Sequence, residues 1–471
     1  MDFFGKIASK KKIALILENG KSVTYGQLLN LINKFHLIFK KRYLIFVIAG
    51  NNIETIISYY GCLKSNCVVA LIDENLSEEL LKRLIKRYKP NFIFKGKKKN
   101  ILFKSYERKI IFNDYELLKK KKNNKISLNK NLYLLISTSG STGSSKFVKI
   151  SDRNIIENTS SIIKYLKISK NDKTITTLPI SYVYGLSIIN THLKSGATII
   201  LNNSSIIEKS FWEKLAKYKI TNFAGVPYLY EILDRIDFKK FDLRYLKYTT
   251  QAGGKLHDKL IRNIIKKYKK FNLKLLIMYG AAEATARMSY LPWNKIESKI
   301  GSVGVAIPGG KFWIEDRKKN KIRISKKAGE IVYQGNNVHL GYAKNQGDLI
   351  KGDENNNVLR TGDIGYLDKE KFLYIIGRKD RFVKVYGQRV NLSELEEMIY
   401  KIGIKCLCFQ EISNKIVIYI KKLNDKKKII NFLKNSVNLH ISVFTVKIIK
   451  KFPRNLNYKI SYDRKLLAKN D

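Results

Sequence analysis

The stretch from Ser137 to Lys146, "STSGSTGSSK", is all Ser, Thr and Gly up to its final lysine and follows directly on the apolar run "LYLLI". Those residue types suit an anion cradle. Small residues let backbone N–H groups approach a ligand, hydroxyls add donors, and one ammonium offsets charge. A Ser/Gly linker is the alternative reading of the same composition. The spacing departs from the standard nucleotide loop, where a Gly-Lys pair precedes Ser or Thr, because Lys146 follows Ser145 and precedes Phe147. The candidate phosphate contacts in the stretch are Thr138, Ser139, Gly140, Ser141, Thr142, Gly143 and Lys146.

Such a loop needs rigid elements behind it. Upstream, strand-like runs ("YLIFVIAG", "CVVALID", "NFIFKG") alternate with helical periodicity ("YGQLLNLINKFHLIFKK", "SEELLKRLIKRYK"), which predicts parallel α/β units. The lysine- and asparagine-rich "LLKKKKNNKISLNKN" before Leu132 reads as a surface loop. Beyond the cradle the alternation resumes through "ATIILN", "NFAGVP", "YLKYTTQAGG" and "LKLLIMYG", each ending in small residues. Ligands of open parallel sheets bind outside the carboxyl ends of the strands, so these ends mark the expected site. From about Gly301, short strands and Gly-rich turns ("GSVGVAIPGGKFWIED", "GEIVYQGNNVHLGYA", "DIGYLDKEKFLYIIGRKD") predict a small antiparallel, β-rich subdomain. Beyond Arg378, "NLSELEEMIYKI", with Ser393 and Glu396 in capping-box spacing, and "KIVIYIKK" predict a small α+β domain. The fold class is therefore α/β. A large N-terminal domain, 1–377, comprises parallel α/β subdomains and the β-rich subdomain, and 378–471 forms the C-terminal domain.

Composition narrows the class. A 471-residue chain with 44% hydrophobic residues is that of a core-forming globular protein. The formal net charge of +52 first suggests a nucleic-acid or anionic-membrane partner. The lysines are dispersed, however, and accompany abundant Ile, Asn, Tyr (28) and Phe (22) with only 6 Pro. Those abundant residues share AT-rich codons, so no specific nucleic-acid function is expected. The longest apolar runs fall short of the roughly 18 residues that span a membrane. Cys62 with Cys67 and Cys406 with Cys408 lack metal-site spacing, and reduced core thiols in cytoplasm are expected.

Taken together, the motifs resemble those of the acyl-adenylate-forming superfamily of AMP-dependent synthetases and ligases, which includes acyl-CoA synthetases. "LLISTSGSTGSSKFVKIS" resembles its phosphate loop, with Ser145 at the usual Pro and Phe147 at the usual Gly. "MYGAAEA" resembles the Tyr-Gly-x-Thr-Glu motif, "LRTGDIGYL" the Tyr-Arg-Thr-Gly-Asp motif, and "GRKDRFVKVYGQRVNLSELE" the hinge motif. "FPRNLNYKISYDRKLL" resembles the terminal Pro-x-x-x-x-Gly-Lys motif, with Tyr458 in place of Gly. The resemblance covers nearly the whole chain and implies an acid–thiol ligase using ATP and Mg²⁺. Such an enzyme forms an acyl-adenylate, releases pyrophosphate and passes the acyl group to coenzyme A or to the phosphopantetheine thiol of an acyl carrier protein.

The resemblance assigns roles to particular residues. Glu283 would hold Mg²⁺, a hard cation that takes oxygen ligands, and a plain helix-start glutamate is its alternative. Asp363 would accept the ribose hydroxyls with Arg378 at the same sugar, the alternative being a solvated turn aspartate. Tyr279, with core packing as its rival, would face adenine, and Gly280, Ala281 and Ala282 follow it. Ala252, Gly253 and Gly254 would let the opposite wall approach. Lys459 would bridge the carboxylate and the α-phosphate. Asp380 would be the hinge, and Lys384 and Gly387 would line the thiol tunnel after rotation. Ala282 for Thr and Tyr458 for Gly leave a slowed or inactive member open.

In "LPISYVYGLSIINTHL", which matches the acyl-pocket segment, Tyr182, Tyr184 and Gly185 are the candidate lining. No carboxylate occurs from Leu178 to Leu193 to meet an α-ammonium, which disfavours an amino acid and favours a fatty or other organic acid. Two rival classes stay open: an amino-acid-adenylating ligase serving a carrier protein, and a non-catalytic basic protein binding nucleic acid.

Overall fold

The computed structural model describes residues 3–4, 9–97, 103–122, 126–137, 146–385, 388–410, 414–437, 439–455 and 459–462, with only the backbone described at Lys384, Gln388 and Arg389. The chain divides into two compact units.

The first unit is built from Met1–Ser139, Gly143–Lys311 and Gln334–Leu359. One of its sheets has eight strands, with the parallel strands Leu44–Ala49, Val68–Asp73, Phe92–Gly96 and Leu132–Ser137 at its centre. All six residues of Leu44–Ala49 are buried, as expected of a strand covered on both faces. The edges are antiparallel. On one side the hairpin Tyr106–Phe112 and Tyr115–Lys120 adds to Phe92–Gly96, turning at Asn113 with φ +53°. The first part of the expected lysine-rich loop is thus strand: adjacent Leu117 and Leu118 point to opposite faces and are buried in two different cores, which outweighs the charge of the lysines that follow.

On the other side Phe147–Ser151 pairs antiparallel with Leu132–Ser137 and then with Gly341–Ala343. The run "GEIVYQGNNVHLGYA" is therefore divided. Gly329–Gln334 belongs with the β-rich strands, whereas Gly341–Ala343 completes the first unit's sheet. Lys149 anchors that return: it is fully buried, with its ammonium 3.0 Å from Glu354 and 3.1 Å from the Lys351 carbonyl.

In the other sheet of this unit, Ile13–Ile16, Thr198–Ile200, Lys173–Ile175, Asn222–Gly225, Tyr248–Gln251 and Lys274–Tyr279 run parallel in that order. Short antiparallel strands, Ser289–Tyr290 and Ser302–Ala306, follow beside Lys274–Tyr279. One apolar core draws on both sheets and on the helices Tyr25–His36, Ile53–Lys64 and Val183–Lys194, and another covers the opposite face of the eight-stranded sheet. Each buried Leu, Ile or Val there contributes roughly 1.5–3 kcal/mol.

The second unit holds Phe312–Tyr333 and Arg360–Asp471. Its long antiparallel pair, Val358–Leu367 with Leu373–Arg378, sets Asp363 opposite Arg378. The hairpin Phe382–Val385 with Gln388–Asn391 follows, then the helices Leu392–Lys401 and Asp425–Ser436 on a sheet of Leu407–Gln410, Ile416–Ile420 and Phe444–Ile448. The expected capping box at Ser393 and Glu396 does not form. Asn391 caps Leu392–Lys401, its side chain accepting from the Ser393 and Glu394 amides, because Glu396 turns inward to Arg381.

Among the described residues no helix is long and apolar enough to cross a membrane. All four cysteines are free and buried.

Candidate active site

In the first unit, residues 252–254 follow the strand Tyr248–Gln251, and residues 280–283 follow Lys274–Tyr279. Thr138, Ser139, Gly140, Ser141, Thr142 and Gly143 lie outside the described residues. Lys146 lies within them, one residue before the strand Phe147–Ser151. Its Nζ sits 3.8 Å from the centroid of the Tyr342 ring. Tyr342 reaches that point because Gly341–Ala343 pairs with Phe147–Ser151, with Tyr342 opposite Val148. The Tyr342 hydroxyl then donates to Glu283 Oε1 at 2.8 Å. A lysine, a tyrosine and a carboxylate thus form one line at the sheet end.

Glu283 lies on the single 3₁₀ turn Ala282–Ala284 that follows Lys274–Tyr279, and it is partly exposed. Two backbone features hold that turn. Gly280 is obligatory, since a Cβ there would come within 1.8 Å of the Ala286 carbonyl oxygen. Thr285 and Ala286 both take positive φ, +52° and +117°, and such strain in a residue with a side chain costs on the order of 1–3 kcal/mol. Hydrogen bonds offset it. Asn337 donates to the Ala284 and Arg287 carbonyls, both at 2.8 Å, Asn158 donates to the Arg287 carbonyl at 2.9 Å, and the Thr285 hydroxyl donates to the Asn337 carbonyl. The His339 amide donates to the Glu283 carbonyl at 2.9 Å. Burial holds the His339 imidazole below the usual histidine range, against the opposing pull of Glu283.

Tyr279 ends its strand partly buried, and Ala281 and Ala282 offer the turn no side-chain cap. Ala252, Gly253 and Gly254 follow Tyr248–Gln251. Gly253 has φ +87°, and Gly254 lies so near Pro227 that a Cβ would meet its ring at 3.1 Å. Tyr182 precedes the helix Val183–Lys194 and is buried, as is Tyr184, whose hydroxyl bonds the Thr250 carbonyl at 2.9 Å. Gly185 fits there because a Cβ would fall 2.1 Å from the Pro179 carbonyl oxygen.

Reading the sequence missed Arg287. It is 2% exposed, and its guanidinium carbon lies 3.8 Å from the Tyr184 ring centroid. The available signal was a lone cation in the otherwise small and apolar "ATARMSYL". Tyr342 and Asn337 were also missed, inside a run read only as strand and turn.

In the second unit, Arg378 Nε lies 3.6 Å from Asp363 and 3.5 Å from Asp380. Gly362, at φ +71°, turns the chain before Asp363, and the Thr361 hydroxyl accepts from the Asp363 amide at 3.1 Å. Asp380 is exposed. The backbone of Lys384 pairs with that of Arg389, and Gly387 and Tyr458 lie outside the described residues. The Lys459 amide donates to Asn455 Oδ1 at 3.0 Å, and the Lys459 carbonyl accepts from the Asn455 amide at 2.9 Å. Three residues on, the Tyr462 hydroxyl donates to Glu396 Oε2 at 2.9 Å, while Arg381 pairs with Glu396 Oε1 at 2.5 Å. Arg381 also lies 3.9 Å from the Tyr462 ring. The segment of Lys459 is thereby tied to the residue after Asp380.

A family model described as AMP-binding enzyme matches residues 7–343. The chain is 29% identical to a probable 4-coumarate–CoA ligase of Dictyostelium discoideum, over 58% of this chain and 50% of that protein. It is 24% identical to an oxalate–CoA ligase of Saccharomyces cerevisiae, over 71% of this chain and 62% of that protein. The chain thus spans about half the length of the curated relatives it matches. The structure of o-succinylbenzoate coenzyme A synthetase from Bacillus subtilis with ATP and magnesium shares the fold at TM-score 0.76 and 18% identity, covering 98% of this chain and 97% of that one.

Proposed function

Because the chain belongs to the AMP-binding enzyme family, within the acyl-adenylate-forming superfamily, we propose that it is an ATP-dependent acid–thiol ligase. It would activate a carboxylic acid as its acyl-adenylate, with release of pyrophosphate, and transfer the acyl group to coenzyme A or a carrier-protein phosphopantetheine. The line of Lys146, Tyr342 and Glu283 at the sheet end carries this reading. It sets a cation from the end of the Ser/Gly-rich stretch and a carboxylate on either side of one tyrosine. Phosphoryl chemistry needs both signs: the cation for the phosphate oxygens, the carboxylate for their metal.

The residues fit a nucleotide-borne Mg²⁺. Among the described residues no set of three or more His, Cys, Asp or Glu side chains could hold a metal alone. Mg²⁺ with a nucleotide needs only one or two protein carboxylates, phosphate oxygens and waters. Glu283 would be that carboxylate, with one oxygen oriented by Tyr342. When bound, the ion would offset charge on the phosphates.

In the same reading Asp363 binds the ribose with Arg378 beside it, and Tyr279 faces adenine across from Ala252, Gly253 and Gly254. Thr138, Ser139, Gly140, Ser141, Thr142 and Gly143 close over the phosphates. Lys459 serves adenylation and Lys384 serves thiol transfer. Asp380 is the hinge, with 1–377 and 378–471 as the two bodies. The named acids of the relatives, 4-coumarate and oxalate, differ so widely that the pocket has to decide the substrate. The residues from Leu178 to Leu193 contain no carboxylate, and Arg287 on Tyr184 adds a cation. Both oppose an α-ammonium.

The test is acid-dependent ATP–pyrophosphate exchange over fatty, aryl, hydroxy, dicarboxylic and amino acids. Exchange supported by one non-amino class, and lost in Glu283→Gln, is the expected result. Absence of exchange with every acid would overturn the ligase reading.

A further inference from the structure

Arg287 is buried yet has no carboxylate partner among the described residues. Its Nη1 donates to the Ala286 carbonyl at 3.2 Å, and its Nε is buried without a hydrogen-bond partner. The Tyr184 ring under the guanidinium, and a Tyr165 hydroxyl close to it, are neutral groups. Burial pushes the Tyr184 hydroxyl up to about 12, so it stays protonated at physiological pH. A guanidinium removed from water without a counter-charge costs several kcal/mol. A cation–π contact returns only about 0.5–2 kcal/mol of that. Among the described residues this cation is therefore under-compensated, with a donor unused.

The position of that cation narrows what would complete it. Arg287 is on the loop that begins with Glu283, four residues further on, and it stacks on Tyr184 of the expected acyl pocket. Thr285 of this loop lines a small, mainly apolar cavity with Ile155, Val183, Leu186 and Asn158, and Arg287 lies outside that lining. The Asn158 side-chain oxygen is a second buried atom without a partner. A purely aliphatic tail beside Tyr184 would leave the cation unmatched.

We propose that Arg287 anchors a second carboxylate of the acid, so that the substrate is a dicarboxylic acid activated at one end and held at the other by the buried guanidinium. This rests on the ligase reading above. Carboxylate oxygens match the planar fork of arginine, and such charge-assisted bonds are about twice as strong as neutral ones. A site built around a buried charge also discriminates sharply against an analogue that leaves it unpaired.

The experiment uses the full chain and compares α,ω-dicarboxylic acids, from malonate to suberate, with their monomethyl esters in pyrophosphate exchange. One diacid should exceed its own half-ester by about a hundredfold in kcat/KM. Arg287→Met should bring that ratio close to one, mainly through KM, and Arg287→Lys should restore part of it. Half-esters equal to diacids throughout in the natural protein, or a ratio retained in Arg287→Met, would overturn the anchor. If Arg287→Met does not fold, as judged by its melting transition, the natural protein's diacid-to-half-ester ratio decides alone. If no acid supports exchange, the ligase reading has failed. Calorimetry with the same pairs then decides the anchor: binding of a diacid but not its half-ester upholds it, and equal or absent binding overturns it.

Discussion

The ammonium of Lys146 lies 3.8 Å from the centre of the Tyr342 ring, so the lysine that ends the Ser/Gly-rich stretch is placed by a tyrosine from the adjoining edge strand of its sheet. The same tyrosine orients Glu283 through its hydroxyl. The two functions of Tyr342 can be separated. Tyr342→Phe keeps a ring under Lys146 and removes one hydrogen bond to a charged group, about 1.5–3 kcal/mol where that bond is fully expressed. It should lower pyrophosphate exchange by about tenfold, and Tyr342→Leu, which also removes the cation–π contact, by a further factor of about three to ten. Equal rates in the two variants would show that the ring has no part.

Asp363 sits opposite Arg378 after a left-handed Gly362, and its amide is held by Thr361. If it binds the ribose, Asp363→Ala should weaken ATP binding by about 1.5–3 kcal/mol, the scale of hydrogen bonds to a charged group. Calorimetry with ATP·Mg reads this directly. Unchanged affinity would remove Asp363 from the nucleotide site.

Two lysines that composition cannot distinguish should separate by half-reaction. Lys459→Ala should lower pyrophosphate exchange by about 10²–10³ and largely spare thioester formation from a supplied acyl-adenylate. Lys384→Ala should do the reverse. Tyr462→Phe, which frees the Lys459 segment from Glu396, should give a smaller loss confined to exchange. Equal losses in both halves for both lysines would exclude alternation.

His192, on the helix Val183–Lys194, is fully buried, and desolvation pushes its imidazole down to about 4. The unfolded chain binds a proton near 6.5, so between those values only the unfolded state gains it. Above that range the histidine adds no pH dependence. As pH falls from 6.5 to 4 it should cost stability progressively, up to about 3 kcal/mol. Melting temperatures from pH 7.5 to 4.5 should fall more steeply for the natural chain than for His192→Gln. Parallel curves would place the acid loss in other groups.

The order of the motifs and the parallel strand alternation were legible in the chain itself. Strands such as Leu44–Ala49 and Val68–Asp73, buried on both faces, are continuous apolar runs, and the glycines that follow Tyr248–Gln251 and Lys274–Tyr279 mark where the backbone turns or packs close. Such signals depend on neighbours within a few residues, so sequence alone determines them. Partnership across long separations is different. Glu396 stands three residues after Ser393 and reads as a cap, yet burial beside Arg381 and Tyr462 draws it inward and leaves the cap to Asn391. Tyr342 meets Lys146 only through an antiparallel register that its own run does not encode. Arg287 is one cation among 91 Lys and Arg residues until the fold removes it from water and sets no carboxylate of the described residues beside it. The sequence set which chemical groups are present and in what order. Tertiary packing decided which charges were desolvated and which were paired, because those energies depend on what surrounds a group in space.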